Sequence, residues 1–257
     1  MEEQAGETFS HTADYTYIES ALKARWEPFT TLVEQFDSFS PRPYADFAGD
    51  RESEIARLVE LNPTSTRESI EELVDRQIGI AANPNYQLVT EFSARIMSEY
   101  VTVTLLSHAL VEAVINATLA VGLARAGAPE LFALLERADV KEKWSAGPKA
   151  FHPTYSLDRG GALWETLQHL TYQRNTFVHY KIELQMNGEK KLPGSKVRRS
   201  PLRGELIWVE RFFSLPYDLV SHLQSQMPLF PALTLFDSRP IRRYQPHSAV
   251  PGAPARP

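Results

Sequence analysis

Apolar residues recur at helical spacing through most of the chain. In residues 15–37, Ile18, Leu22, Trp26, Phe29 and Val33 fall three or four apart, which predicts a helix that Pro28 ends or kinks. A loop with Pro41, Pro43 and Gly49 follows, then a short helix over 51–61, stopped by Asn62-Pro63. Ser65-Thr-Arg-Glu68 reads as a capping box that opens a helix to about residue 80, and Asn83-Pro84 breaks the chain again. Residues 86–125 then run without a proline and with Gly122 alone among glycines. Ile96, Tyr100, Val103, Leu106, Leu110, Ala113, Ala117 and Ala120 predict one long helix there, the spine of a bundle. After Gly127-Ala-Pro129 the pattern predicts a second bundle helix over about 129–144. After Gly147, Pro148 and Pro153 it predicts a third over about 161–183, with Leu163, Leu167, Leu170, Phe177, Val178 and Ile182 facing inward.

Beyond this the pattern is ambiguous. Asn187-Gly188, between Ile182/Leu184/Met186 and Leu192, suits a β-hairpin turn near residues 182–210 or a helix C-cap and a loop. Residues 189–203 hold six Lys/Arg against one Glu and read as a basic loop. Residues 205–213 fit either strand or helix. Ser214 is placed to cap a last helix ending near Gln226, and residues 228–257, with seven prolines, read as an irregular tail. The expected architecture is all-α: an acidic N-terminal helical extension over 1–84, a bundle of four to five helices over 85–230, and a Pro-rich tail over 231–257.

Composition narrows the chemistry. The chain has 257 residues, no cysteine and a net charge of −5. Disulfides, thiolate metal sites and a cysteine nucleophile are therefore excluded. The polar N-terminus is not a secretory signal, and no run of 18 apolar residues occurs, so no membrane span is expected and the cytoplasm is the expected location. Charge is uneven: residues 1–75 carry 17 acidic and 6 basic side chains, the remainder 15 and 21. That layout fits a back half that meets a polyanion, and equally a solvated acidic surface. The histidines at 11, 108, 152, 169, 222 and 247 show no metal-ligand spacing, so neither a metal nor another cofactor is expected.

One segment concentrates polar chemistry on an otherwise apolar helix: Tyr172-Gln-Arg174-Asn175-Thr-Phe-Val-His179-Tyr180-Lys181. Asn175 and His179, four apart, lie about 40° from each other around the helix, and a long arginine side chain at 174 can fold towards them. Histidine moves a proton near neutral pH, and arginine grips a phosphate with two parallel hydrogen bonds. A purely structural polar cluster that fixes helix packing is the competing reading.

These residues resemble the HEPN family, whose signature is an arginine, usually followed by a polar residue, with a histidine four to six positions on: here Arg174-Asn175 and His179. The long helix upstream carries Glu112 and Asn116, where that family often has a polar or acidic residue that contacts the arginine. A Leu/Lys-rich segment over 134–144 is also typical, and the resemblance covers roughly residues 86–227. It implies a bundle that dimerises with the motif at the interface. It further implies a metal-independent endoribonuclease of a toxin–antitoxin or anti-phage system. His179 and Arg174, with Asn175, would act on RNA, supported by Glu112 and Asn116. Tyr180, Lys181, Lys190, Lys191, Lys196, Arg198 and Arg199 are candidates for gripping the RNA backbone. An antitoxin or other partner protein is implied as well. The alternative in the same family is a non-catalytic module that dimerises, docks a partner protein or binds nucleotide.

Overall fold

The computed structural model describes residues 15–178 and 202–228. Among these every regular element is helical: α1 (Tyr15–Lys23), α2 (Trp26–Asp37), α3 (Tyr44–Ala48), α4 (Arg51–Leu61), α5 (Arg67–Ala81), α6 (Pro84–Arg125), α7 (Phe132–Leu135), α8 (Val140–Ala146), α9 (Ala162–Val178) and α10 (Leu202–Gln226). Single 3-10 turns at Pro129–Leu131 and Gly147–Ala150 complete the set. The fold class is all-α, as expected. The segment considered for a hairpin lies mostly outside the described residues, and its described part, from Leu202 onward, is helix.

Several boundaries differ from the sequence pattern, each for a local reason. The first helix breaks at Ala24–Arg25 rather than at Pro28. Pro28 sits in the first turn of α2, where a backbone N–H has no intrahelical partner to lose. The cap of α5 is Thr66, whose Oγ1 accepts from Ser69 N at 3.2 Å, one residue beyond the predicted Ser65. The helix predicted over 129–144 is split, because Asp139 caps a new start by accepting from the Lys141 N–H at 2.9 Å. Ser214 caps nothing, since α10 runs unbroken through Pro216.

The described residues form two compact units. The larger contains residues 15–29, 99–178 and 202–228, and the smaller residues 30–98. α1, which the sequence pattern places in the N-terminal extension, thus belongs to the larger unit, and the first residues of α6 to the smaller.

The smaller unit is built on a core of Ile55, Ile70, Val74 and Ile78, with Phe47, Ala48, Leu58 and Val59 packed against it. Its surface explains part of the acidity of the first 75 residues. Arg51 holds Asp75 with two hydrogen bonds of 2.6 and 2.8 Å and also reaches Glu52, while Arg67 bridges Glu52 and Glu71. Exposed pairs of this kind contribute little stability individually.

In the larger unit α6 is the central element. It is long and apolar enough to cross a membrane by length and composition. Many of its apolar side chains are nevertheless covered by protein: Val103, Leu110, Val111, Val114, Ile115, Leu119 and Leu123 are buried, while Leu105 is exposed. Tyr100 meets Phe177 of α9 edge to face and Phe212 of α10 at 5.8 Å. Trp144 of α8 donates its indole N–H to Val111 O at 3.2 Å, and Tyr155 donates its hydroxyl to Trp144 O at 2.9 Å. Burial pushes the Tyr155 hydroxyl pKa up. Gly122 lets the Phe151 ring lie directly on the helix backbone, for a Cβ there would come within 2.4 Å of the ring. The buried threonines need no partner from another helix. Thr104, Thr118 and Thr171 bond the carbonyls of Tyr100, Val114 and Leu167 one turn back, and Thr166 bonds that of Ala162.

α1 joins this unit through Glu19, which is fully buried. Tyr217 of α10 donates to Glu19 Oε1 at 3.3 Å, and Lys23 lies 3.3 Å from the same oxygen. Trp26 packs on Phe213 at 4.9 Å.

Candidate functional site

α9 buries Trp164, Thr166, Leu167, Leu170 and Thr171, and turns its opposite face outward. Towards its C-terminal end Tyr172, Asn175 and Val178 are exposed and Arg174 is half-buried. Val178 was expected to face inward; it is 50% exposed, because the buried stripe drifts away from this face by the last turn. Arg174 Nη1 donates to Asn175 Oδ1 at 2.9 Å. The bond joins two groups of the predicted constellation and leaves most of the guanidinium's donors directed elsewhere. His179, Tyr180, Lys181, Lys190, Lys191, Lys196, Arg198 and Arg199 lie outside the described residues.

On α6, Glu112 and Asn116 stand one turn apart and are half-buried, and His108, one turn before Glu112, is buried. Glu112 was expected to hold Arg174. Instead its Oε1 accepts from Lys143 Nζ of α8 at 3.1 Å, and its Oε2 lies 3.9 Å from His108 Nδ1. No ion pair links the described Glu112 and Arg174. The physical reason is reach. Trp144 anchors α8 on Val111, one residue before Glu112, and this brings the preceding Lys143 against the carboxylate. Asn116 is half-buried, and its Oδ1 is sealed from solvent without a hydrogen-bond partner.

Two members of this cluster were not singled out by the sequence. Lys143 is 1% exposed, a cation taken out of water with Glu112 as its carboxylate partner. His108 is buried beside the same carboxylate. Its pKa lies below the ordinary value: burial disfavours the charged imidazole first, Glu112 and Asp139 oppose that, and the charges of Arg174 and Lys143 add to it. The signal that could have found His108 is the i, i+4, i+8 spacing of His108, Glu112 and Asn116, which places three polar groups along one side of an apolar helix; nothing in the local pattern marks Lys143.

His169, also on α9, lies with its ring centroid 3.9 Å from that of Trp208 of α10, the two rings tilted. Burial lowers its pKa, with Glu165 opposing and Arg211 assisting. Among the described residues no group of three or more His, Asp or Glu side chains is arranged to hold a metal ion. A cleft of about 420 Å³ elsewhere in the unit is lined by Gly122, Arg125, Phe151, His152 and Met227.

No protein-family model matches the chain, and neither a curated protein nor a solved structure is significantly similar to it.

Proposed function

We propose that the chain is a metal-independent endoribonuclease of the HEPN type, acting in the cytoplasm as part of a toxin–antitoxin or anti-phage system. The observation that supports this most is the placement of Arg174. It sits in the last described turns of α9, bonded to Asn175 and five residues before His179 in sequence.

In this reading His179 takes the proton from a ribose 2′-hydroxyl. The 2′-oxygen forms a bond to the adjacent phosphorus, and the bond from phosphorus to the 5′-oxygen of the next nucleotide breaks. Arg174 stabilises the negative charge that builds on the phosphoryl oxygens. The second copy's His179 in a homodimer returns a proton to the leaving 5′-oxygen. The products are a 2′,3′-cyclic phosphate and a 5′-hydroxyl end, and DNA, without the 2′-hydroxyl, is not cut.

The test is incubation of the purified protein with RNA in EDTA, with end-group analysis of the fragments. Cleavage is expected to survive EDTA, leave cyclic phosphate ends and fall about 10²–10⁴-fold in Arg174→Ala and His179→Ala. Cleavage that persists in the double variant, or no cleavage of any RNA, refutes the proposal.

A second reading, a non-catalytic module that docks a partner or binds nucleotide, is favoured by one observation: Glu112 is engaged by Lys143 and does not orient Arg174. RNA or nucleotide retained without being cut distinguishes it.

A further inference from the structure

The C-terminal ends of α6 and α10 and the turn at Phe151–His152 enclose a cleft of about 420 Å³ in the larger unit, and no described residue of α9 lines it. That volume falls in the span of about 300–1,000 Å³ in which proteins hold small molecules. The floor is apolar and set before any ligand arrives. Phe151 rests on the bare backbone of Gly122, where three of its ring atoms lie within 2.5 Å of the place a Cβ would take. The Pro148 carbonyl accepts from both Phe151 N, at 3.2 Å, and His152 N, at 2.8 Å, which fixes the turn that carries the ring. Met227 is buried beside the cleft, and its N–H still bonds Leu223 O at 2.8 Å, so the thioether is held by the helical turn that ends α10.

One full charge borders this floor. Arg125, in the last turn of α6, is exposed, and its guanidinium has no hydrogen-bond or ion-pair partner among the described residues. His152 is tied through Nε2 to Thr154 Oγ1 at 3.1 Å, and no Asp or Glu is among the described lining residues.

We propose that this cleft binds a small apolar anion, an aromatic carboxylate of one or two rings. A flat ring seated there meets the Phe151 ring and the Met227 sulfur, both favourable partners for an aromatic group. Its carboxylate takes two parallel hydrogen bonds from Arg125. A cation would meet the guanidinium's like charge, and a neutral ring would gain only the burial. The site does not include Arg174 and stands apart from the nuclease reading.

The test titrates naphthoate, and separately its neutral counterpart naphthalenemethanol, into the full-length protein carrying isotope-labelled methionine methyl groups. The chain has four methionines, Met1, Met97, Met186 and Met227, and the Met227 NMR signal is identified by its loss in Met227→Leu. Naphthoate is expected to shift the Met227 signal, to leave that of Met97 in the smaller unit in place, and to bind about 10-fold more tightly than the alcohol. Arg125→Gln, a change at an exposed position, is expected to bring the two affinities together. A Met227 signal that ignores naphthoate, equal affinity for the two compounds in the unsubstituted protein, or a preference for naphthoate that survives Arg125→Gln overturns the proposal. A Met227 signal that moves with protein concentration and not with naphthoate also overturns it, and gives the cleft to a second copy of the chain.

Discussion

The Glu112–Lys143 pair is asymmetric, and its two truncations should therefore differ. Glu112→Ala strands a cation that is 1% exposed, whereas Lys143→Met leaves a carboxylate that water already reaches. Removing one partner of a sealed pair costs about 3–5 kcal/mol; with Glu112 partly exposed, about 2–3 kcal/mol is expected for Glu112→Ala. Lys143→Met should cost less than about 1 kcal/mol, because the thioether keeps most of the buried stem. Urea denaturation of the two variants checks the order. His108 sets a second expectation. Its folded-state pKa lies below the ordinary 6.5, so the unfolded chain binds the proton more readily. Stability is then full above pH 6.5 and falls as the pH drops through 6.5 towards the lower folded value. His169 is shifted in the same direction and adds to the loss. Thermal melts from pH 7.5 to 5 should fall less steeply for His108→Gln than for the wild type.

At the scale of elements, two helical glycines should respond in opposite directions to the same change. A Cβ on Gly122 would lie 2.4 Å from the Phe151 ring, and a ring wedged against a helix cannot swing away cheaply. Gly122→Ala is expected to cost about 1–3 kcal/mol. Gly79, inside α5, has nothing within 4 Å of its would-be Cβ, so Gly79→Ala should stabilise by about 0.5–1 kcal/mol. Chemical denaturation of each single variant tests the signs.

The same scale shows which parts of the fold could be read from the chain. The long helix was legible because forty residues without proline keep an apolar period, and the stops at Pro63, Pro84 and Gly127 were legible because each removes a donor or needs unusual backbone. The break at Ala24–Arg25 was not, since nothing there lacks helix-forming ability and Pro28 is harmless in a first turn. Pro216 likewise signals an end that the packing of Phe212, Phe213 and Leu215 overrides. Of the site, the local neighbours Arg174 and Asn175 were visible as a sequence pattern. Lys143 was not, because its partner lies 31 positions away and the contact depends on how Trp144 seats α8 on α6.

For the whole molecule, two compact units mean two cores that can be disturbed separately. Val74 is buried in the smaller one with Ile55, Ile70 and Ile78. Val74→Ala should cost about 2 kcal/mol. It should speed amide hydrogen exchange in α4 and α5 while leaving α8 and α9 protected. Hydrogen-exchange mass spectrometry reads this directly, and acceleration spread evenly over both units would show that they open as one.

The threonine hydroxyls that bond one turn back within α6 and α9 have a consequence for how the larger unit finds its own arrangement. A hydroxyl answered by its own backbone is silent towards its neighbours, so these polar positions say nothing about which helix belongs beside which. The instructions for assembly fall instead to the few groups that must find a partner elsewhere in the chain. Lys143 and Trp144 are adjacent, reach Glu112 and Val111 on the long helix, and act as its address label, with Tyr155 holding the Trp144 carbonyl from behind.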